Sequence, residues 1–102
     1  MNDFKYEVDE EGEVTITRHR GTDEDVVIPD EIGGLPVTAI GAYAFRECTN
    51  LTSIHLPNSI TTIGDWAFAR CHSLTSISVP DGCSIGEGAF EDCPAAITIR
   101  DK

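Results

Sequence analysis

Ile40-Gly41-Ala42-Tyr43-Ala44-Phe45-Arg46-Glu47-Cys48 decides the fold, because the chain writes this phrase three times. The second copy is IGDWAFARC, from Ile63 to Cys71, and the third is IGEGAFEDC, from Ile85 to Cys93. Phe45, Phe68 and Phe90 recur at steps of 23 and 22 residues, and Cys48, Cys71 and Cys93 keep the same steps. Self-similarity at a fixed period of this length marks a solenoid, in which each unit is one coil stacked on the next.

Working outward, the phrase is preceded or followed by a second repeated stretch, LTSIHLP (Leu51 to Pro57) and LTSISVP (Leu74 to Pro80). Ile54 and Leu56 alternate about His55, and Ile77 and Val79 about Ser78, which is the period of a strand with one buried face. Pro57 and Pro80 end these strands, since proline donates nothing to a ladder. Ile60 to Ile63 is a second short extended piece. Gly64 to Cys71 then fits one or two turns of helix that carry Ala67, Phe68 and Cys71 inward.

This combination resembles the BspA-like, or treponemal-type, leucine-rich repeats, whose pattern is close to C-x-x-L-x-x-I-x-L-P, a short spacer, and I-G-x-x-A-F-x-x-C. The resemblance covers about Val26 to Ile99. It implies an α/β solenoid: a right-handed coil with a parallel β-sheet along one side and short helical turns. It also implies a bacterial surface or secreted setting, a role in adhesion or protein binding, and no catalytic activity of the repeat itself.

The first part of the chain is not yet repeat. Phe4 to Val8 and Glu13 to Arg18 both alternate, and Asp9-Glu10-Glu11-Gly12 between them is turn chemistry. A β-hairpin cap is therefore expected over residues 1–25, with His19 to Asp25 as a polar loop and the solenoid running over 26–102. A solenoid needs such a lid, because a bare end exposes apolar cross-section and strand edges. Val26 and Ile28 are expected inward and Val27 outward, in a degenerate first unit. Its spacer is five residues longer than that after Pro57, and Gly33-Gly34 mark a protruding turn there.

The last unit fades. Aligned by period, Ala96 stands where Leu51 and Leu74 stood, Ile99 takes the middle position, and Asp101 replaces Leu56 and Val79. Either this is an intrinsic cap or a longer array is cut here.

The chain carries eighteen acids against seven lysines and arginines, a net charge of −11. Eleven of those acids lie in residues 1–31, with three bases. Such a balance repels phosphate backbones and anionic lipid, which argues against nucleic acid and membrane-surface partners. No apolar run approaches the roughly 20 residues that span a bilayer. MNDFKYEVDEEGE has no basic head or apolar stretch and does not read as a signal peptide. These residues leave two settings open, an intracellular protein or one from which a leader has been removed, and the resemblance favours the secreted or cell-surface setting over the cytoplasmic one.

No C-x₂₋₄-C pair supports zinc, and no cofactor is expected. Neighbouring coils lie about 4.8 Å apart, so a disulfide between them is not forbidden by distance. Small thiols at one equivalent inward site nonetheless read best as free, buried cysteines. Cys83 occupies the slot of Ile60. With His55 on an exposed face and His19 in a loop, no base reaches a cysteine, and no enzyme is expected.

What remains is a surface for a protein partner. Val27, His55, Ser78 and Arg100 are expected in one exposed row, and Asp25, Ser53, Ser76 and Thr98 in the next. Tyr43 and Trp66 align outside the phenylalanine column and are candidate anchors. The rival reading is a structural spacer, or a fragment of a longer array, with no ligand of its own.

Overall fold

The protein is described here as a computed structural model covering residues 4–19 and 21–101. Ten strands follow in chain order: β1 (Phe4–Val8), β2 (Val14–His19), β3 (Asp25–Val27), β4 (Glu31–Ile32), β5 (Leu35–Ile40), β6 (Ser53–His55), β7 (Thr62–Ile63), β8 (Ser76–Pro80), β9 (Ser84–Ile85) and β10 (Ala96–Arg100). They wind into a β-solenoid of about four turns.

The longest sheet is built from the short pieces that end in Ile-Gly. Its order is β1-β2-β5-β7-β9, parallel from β2 onward, with Ile16, Ile40, Ile63 and Ile85 in register. The antiparallel hairpin β1–β2 supplies its first two strands, so β2 is both a hairpin arm and the first rung of the solenoid. The strands of the LTSIxxP stretches form the opposite side as two separate pairs, β3 with β6 and β8 with β10. The long spacer becomes a tight hairpin of β4 and β5 around Gly33-Gly34. Both glycines have positive φ, 60° and 80°, the geometry that a two-residue turn between twisted strands requires.

The phrase around each phenylalanine is not helical, which corrects the expectation of short helical turns. Alternate amides behave differently. Those of Ala44, Arg46 and Cys48 bond three residues back, to Gly41, Tyr43 and Phe45. Those of Tyr43, Phe45 and Glu47 donate sideways to the carbonyls of Asp65, Ala67 and Ala69 on the next coil. The second coil repeats the pattern, with Trp66, Phe68 and Arg70 donating to Glu87, Ala89 and Glu91. Each segment is a run of linked turns, stitched to its neighbour as a strand would be. A helix would direct every amide along its own axis and leave nothing for the next coil. The arrangement needs left-handed residues at fixed intervals: Tyr43 and Glu47, Trp66 and Arg70, Gly88 and Asp92, with φ between 54° and 64°.

The glycine opening each phrase is set by close approach. A Cβ on Gly64 would lie 2.6 Å from the amide nitrogen of Ala42. One on Gly86 would lie 2.6 Å from that of Asp65. Any side chain at this corner would push the coils apart.

Inside, Phe45 and Phe68 stack with centroids 5.2 Å apart and planes at 15°, and Phe68 and Phe90 at 5.4 Å and 4°. The expected column is present, and it has a member that the sequence did not reveal. His19 stacks on Phe45 at 5.3 Å and 16°, and Phe4 closes the end edge-on at 6.4 Å from Phe45. His19 is therefore a buried residue of β2, not part of a polar loop. A bulge explains the error. Lys5 pairs with Arg18 but Tyr6 with Ile16, so Thr17 is an extra residue and the alternation reverses after it.

Candidate functional site

The strand-end face is assembled differently from the expected rows. Asp25 pairs with Ser53 and Val27 with His55, as the repeat spacing requires. In the last unit the register differs by two: Ser76 faces Ala96, Ser78 faces Thr98, and Pro80 faces Arg100. Five residues separate Cys71 from Ile77, but only three separate Cys93 from Ile97. Pro94 takes a shorter path, so Ile97 and Ile99, not Ile99 and Asp101, match Ile77 and Val79. The rows Ser78–Arg100 and Ser76–Thr98 are thereby corrected.

Nor is Arg100 available to a partner in the way expected. Its guanidinium donates to the Leu56 carbonyl at 2.6 Å, to Asn58 Oδ1 at 2.9 Å and to Ser78 Oγ at 3.4 Å. It works as a strap across three coils. Val27 stays 60% exposed beside exposed His55, while Ser53 Oγ donates to Asp25 Oδ1. Ser76 and Thr98 are exposed and Ser78 is half-buried. With β6 and β8 outside one continuous ladder, the face divides into a Val27–Ser53–His55 part and a Ser76–Ser78–Thr98 part.

On the outer wall, the linked turns carry Tyr43, Arg46, Trp66, Arg70, Glu91 and Asp92 around an open cleft of about 570 Å³. Tyr43 is 54% exposed, with the Arg46 guanidinium 5.8 Å from its ring centroid. Arg70 meets Glu47 of the previous coil at 3.4 Å. Tyr43, Trp66 and Gly88 hold one equivalent left-handed position. Trp66 leans over Gly88, where a Cβ would come within 2.6 Å of the indole. The glycine in the third copy was the sequence signal for this overlap.

A second cleft, of about 420 Å³, opens beside the hairpin, lined by Lys5, Arg18, His19, Asp23, Arg46 and Cys48 among others. His19 Nδ1 lies 3.9 Å from Cys48 Sγ, and its Nε2 lies 3.4 Å from Asp23 Oδ2. A histidine thus does reach a repeat cysteine, contrary to the expectation that none would. None of the four cysteines is in a disulfide; Cys71 is fully buried, and Cys48, Cys83 and Cys93 are half-buried. Cys71 donates to the Phe45 carbonyl at 3.1 Å. Hydrogen bonding from Cys71, then from His19, pulls the Cys48 thiol down from 9.0 to about 6, against the upward push of burial. The same contact with Cys48, together with burial, pushes the Cys71 thiol up. Burial raises Cys93.

Among the described residues, no cluster of three or more His, Cys, Asp or Glu is arranged to hold a metal ion. No helix among them is long and apolar enough to cross a membrane.

Solved structures place this geometry. A leucine-rich cell surface protein from Faecalibacterium prausnitzii A2-165 superposes with a TM-score of 0.82 at 26% identity, over 99% of this chain and 32% of its own. A leucine-rich repeat protein from Bacteroides ovatus superposes with a TM-score of 0.82 at 29% identity, over 95% of this chain and 28% of its own. The Treponema pallidum leucine-rich repeat protein matches with a TM-score of 0.52 at 26% identity, over 92% of this chain and 67% of its own. The chain spans about a third of the length of the first of these relatives. No curated protein matches it in sequence. Residues 24–100 match the family described as BspA type leucine rich repeat region (6 copies). Stacked coils, the repeated Ile-Gly-x-x-Ala-Phe phrase and that match over most of the chain agree: the chain belongs to the BspA-type leucine-rich repeat family.

Proposed function

We propose that the chain is a protein-binding repeat module acting at a bacterial cell surface, in adhesion or partner capture. The supporting observation is the outer-wall cluster of Tyr43, Arg46, Trp66 and Arg70. Tyrosine, tryptophan and arginine dominate the energetics of protein interfaces, because each buries a large area while keeping a polar handle. Here the stacked coils fix their spacing in advance, which lowers the ordering cost on binding. Leucine-rich repeats serve generally as interaction scaffolds without catalysis, and one structural relative is described as a cell surface protein.

The strand-end patch is the second contact surface, supported by exposed Val27 in register with His55. Ser53, Ser76, Ser78 and Thr98 border it, and Arg100 braces it from within. Paired variants separate the two surfaces in a binding assay against surface proteins of the source bacterium or its host. Tyr43→Asn with Arg46→Ser should abolish capture, asparagine being tolerant of the left-handed backbone. Val27→Ser with His55→Glu should weaken it less. Capture unchanged in both variants would refute binding through either wall and favour the spacer reading.

A further inference from the structure

We propose that Cys48 and Cys71 form an oxidation-responsive thiol pair, in which His19 and Asp23 position Cys48 to react with a hydroperoxide and Cys71 then closes a disulfide between coils. Four groups and a cleft converge on this assignment. Cys48 lines the cleft beside the hairpin, so a small oxidant reaches it from solvent. His19 Nδ1 faces its sulfur at 3.9 Å, and Asp23 holds the far side of the ring at 3.4 Å. Stacking on Phe45 fixes the ring plane. Cys71 occupies the equivalent place on the next coil, shut off from water, with its sulfur 3.1 Å from the Phe45 carbonyl that also accepts the Cys48 amide. Coil spacing of about 4.8 Å falls inside the Cα separation that a disulfide spans.

The charges facing Cys48 favour its thiolate. Lys5, Arg18 and Arg46 line the same cleft, with Asp23 and Glu47 as the opposing acids. The downward displacement of the Cys48 thiol agrees with this setting, and a thiolate rather than a thiol is the nucleophile. Cys93 has no such partner; burial alone acts to raise it.

The chemistry balances in two steps. The Cys48 proton passes to His19 Nδ1, and the sulfur takes one oxygen of the hydroperoxide. The O–O bond breaks, and the departing oxygen leaves as an alcohol, or as water from hydrogen peroxide, with that proton. Cys48 is now a sulfenic acid. The Cys71 sulfur attacks the Cys48 sulfur, the S–O bond breaks, and the hydroxyl leaves as water with the Cys71 proton. Two thiols are oxidised to one disulfide, and one hydroperoxide is reduced.

The test uses the full chain carrying Cys83→Ser and Cys93→Ser, treated with hydrogen peroxide at pH 6 and mapped by mass spectrometry after trypsin. The expected product joins the peptides containing Cys48 and Cys71, with a loss of two hydrogens. Cys48 should react on the order of tenfold faster in the folded chain than in the same chain unfolded in urea, its thiolate fraction outweighing its lower intrinsic nucleophilicity. Cys71→Ser should leave Cys48 as a sulfenic acid captured by dimedone. Asp23→Asn should slow the reaction and move the pH profile of Cys48 alkylation upward, a change that a merely structural residue would not produce. Folded Cys48 that reacts no faster than its unfolded counterpart, or that yields neither the joined peptide nor the dimedone adduct, would overturn the proposal.

Discussion

The two ends of the solenoid are closed to different degrees. At the hairpin end, His19 and Phe4 extend the phenylalanine column, and Gly41 and His19 bond across to Ile16 and Ala44. At the other end the column stops at Phe90, which is only half-buried. Ile97 and Ile99, the counterparts of buried Ile77 and Val79, are 44% and 57% exposed. The amides of Gly88, Phe90 and Asp92 match those that donate across coils elsewhere, but have no carbonyl opposite them among the described residues. The same sequence phrase therefore carries different energies according to what lies beside it: a coil is stabilised by its neighbours more than by itself.

Substitutions at matched positions sharpen that contrast. Phe68, sandwiched on both faces, should be the most costly to truncate: Phe68→Ala is expected to lose about 3–5 kcal/mol in chemical denaturation, enough to threaten a small domain. A loss below about 1 kcal/mol would mean the column is not the core. Next comes Gly64→Ala, whose new methyl meets backbone that cannot swing aside, with an expected loss of about 1–3 kcal/mol by the same measurement. Phe90→Ala removes the column's open end and should cost about 1–2 kcal/mol, since part of the ring is already in water. If it matched Phe68→Ala, the asymmetry between the ends would be wrong. Ile99→Thr is expected to stay within about 0.5 kcal/mol of the parent, as for other exposed positions without special contacts. A larger loss would show that this strand face is covered in solution.

Sequence reached the column, the inward triads Leu51-Ile54-Leu56 and Leu74-Ile77-Val79, and the outward Val27, because these follow from identity at fixed spacing. It failed where hydrogen-bond direction decides. Ala-Phe-Arg-Glu-Cys suits a helical turn by propensity, and only the adjacent coil diverts alternate amides sideways. It failed also where residue count changes without changing residue type. The bulge at Thr17 turned His19 inward, and the shortcut at Pro94 moved β10 by two, which took Arg100 out of its expected row. Of the candidate contacts, Val27 and His55 were legible as exposed strand neighbours. The approach of His19 to Cys48 was not, because it joins residues 29 apart and depends on the bulge that turns His19 inward.

The central claim is that alternate amides of a linked-turn segment bind the next coil wherever one lies beside it, as in the first two segments. Residue-resolved amide hydrogen exchange tests it directly. Tyr43, Phe45, Glu47, Trp66, Phe68 and Arg70 should be strongly protected, while Gly88, Phe90 and Asp92 exchange at rates near those of an open chain. Equal protection of the last three with Trp66, Phe68 and Arg70 would contradict the account.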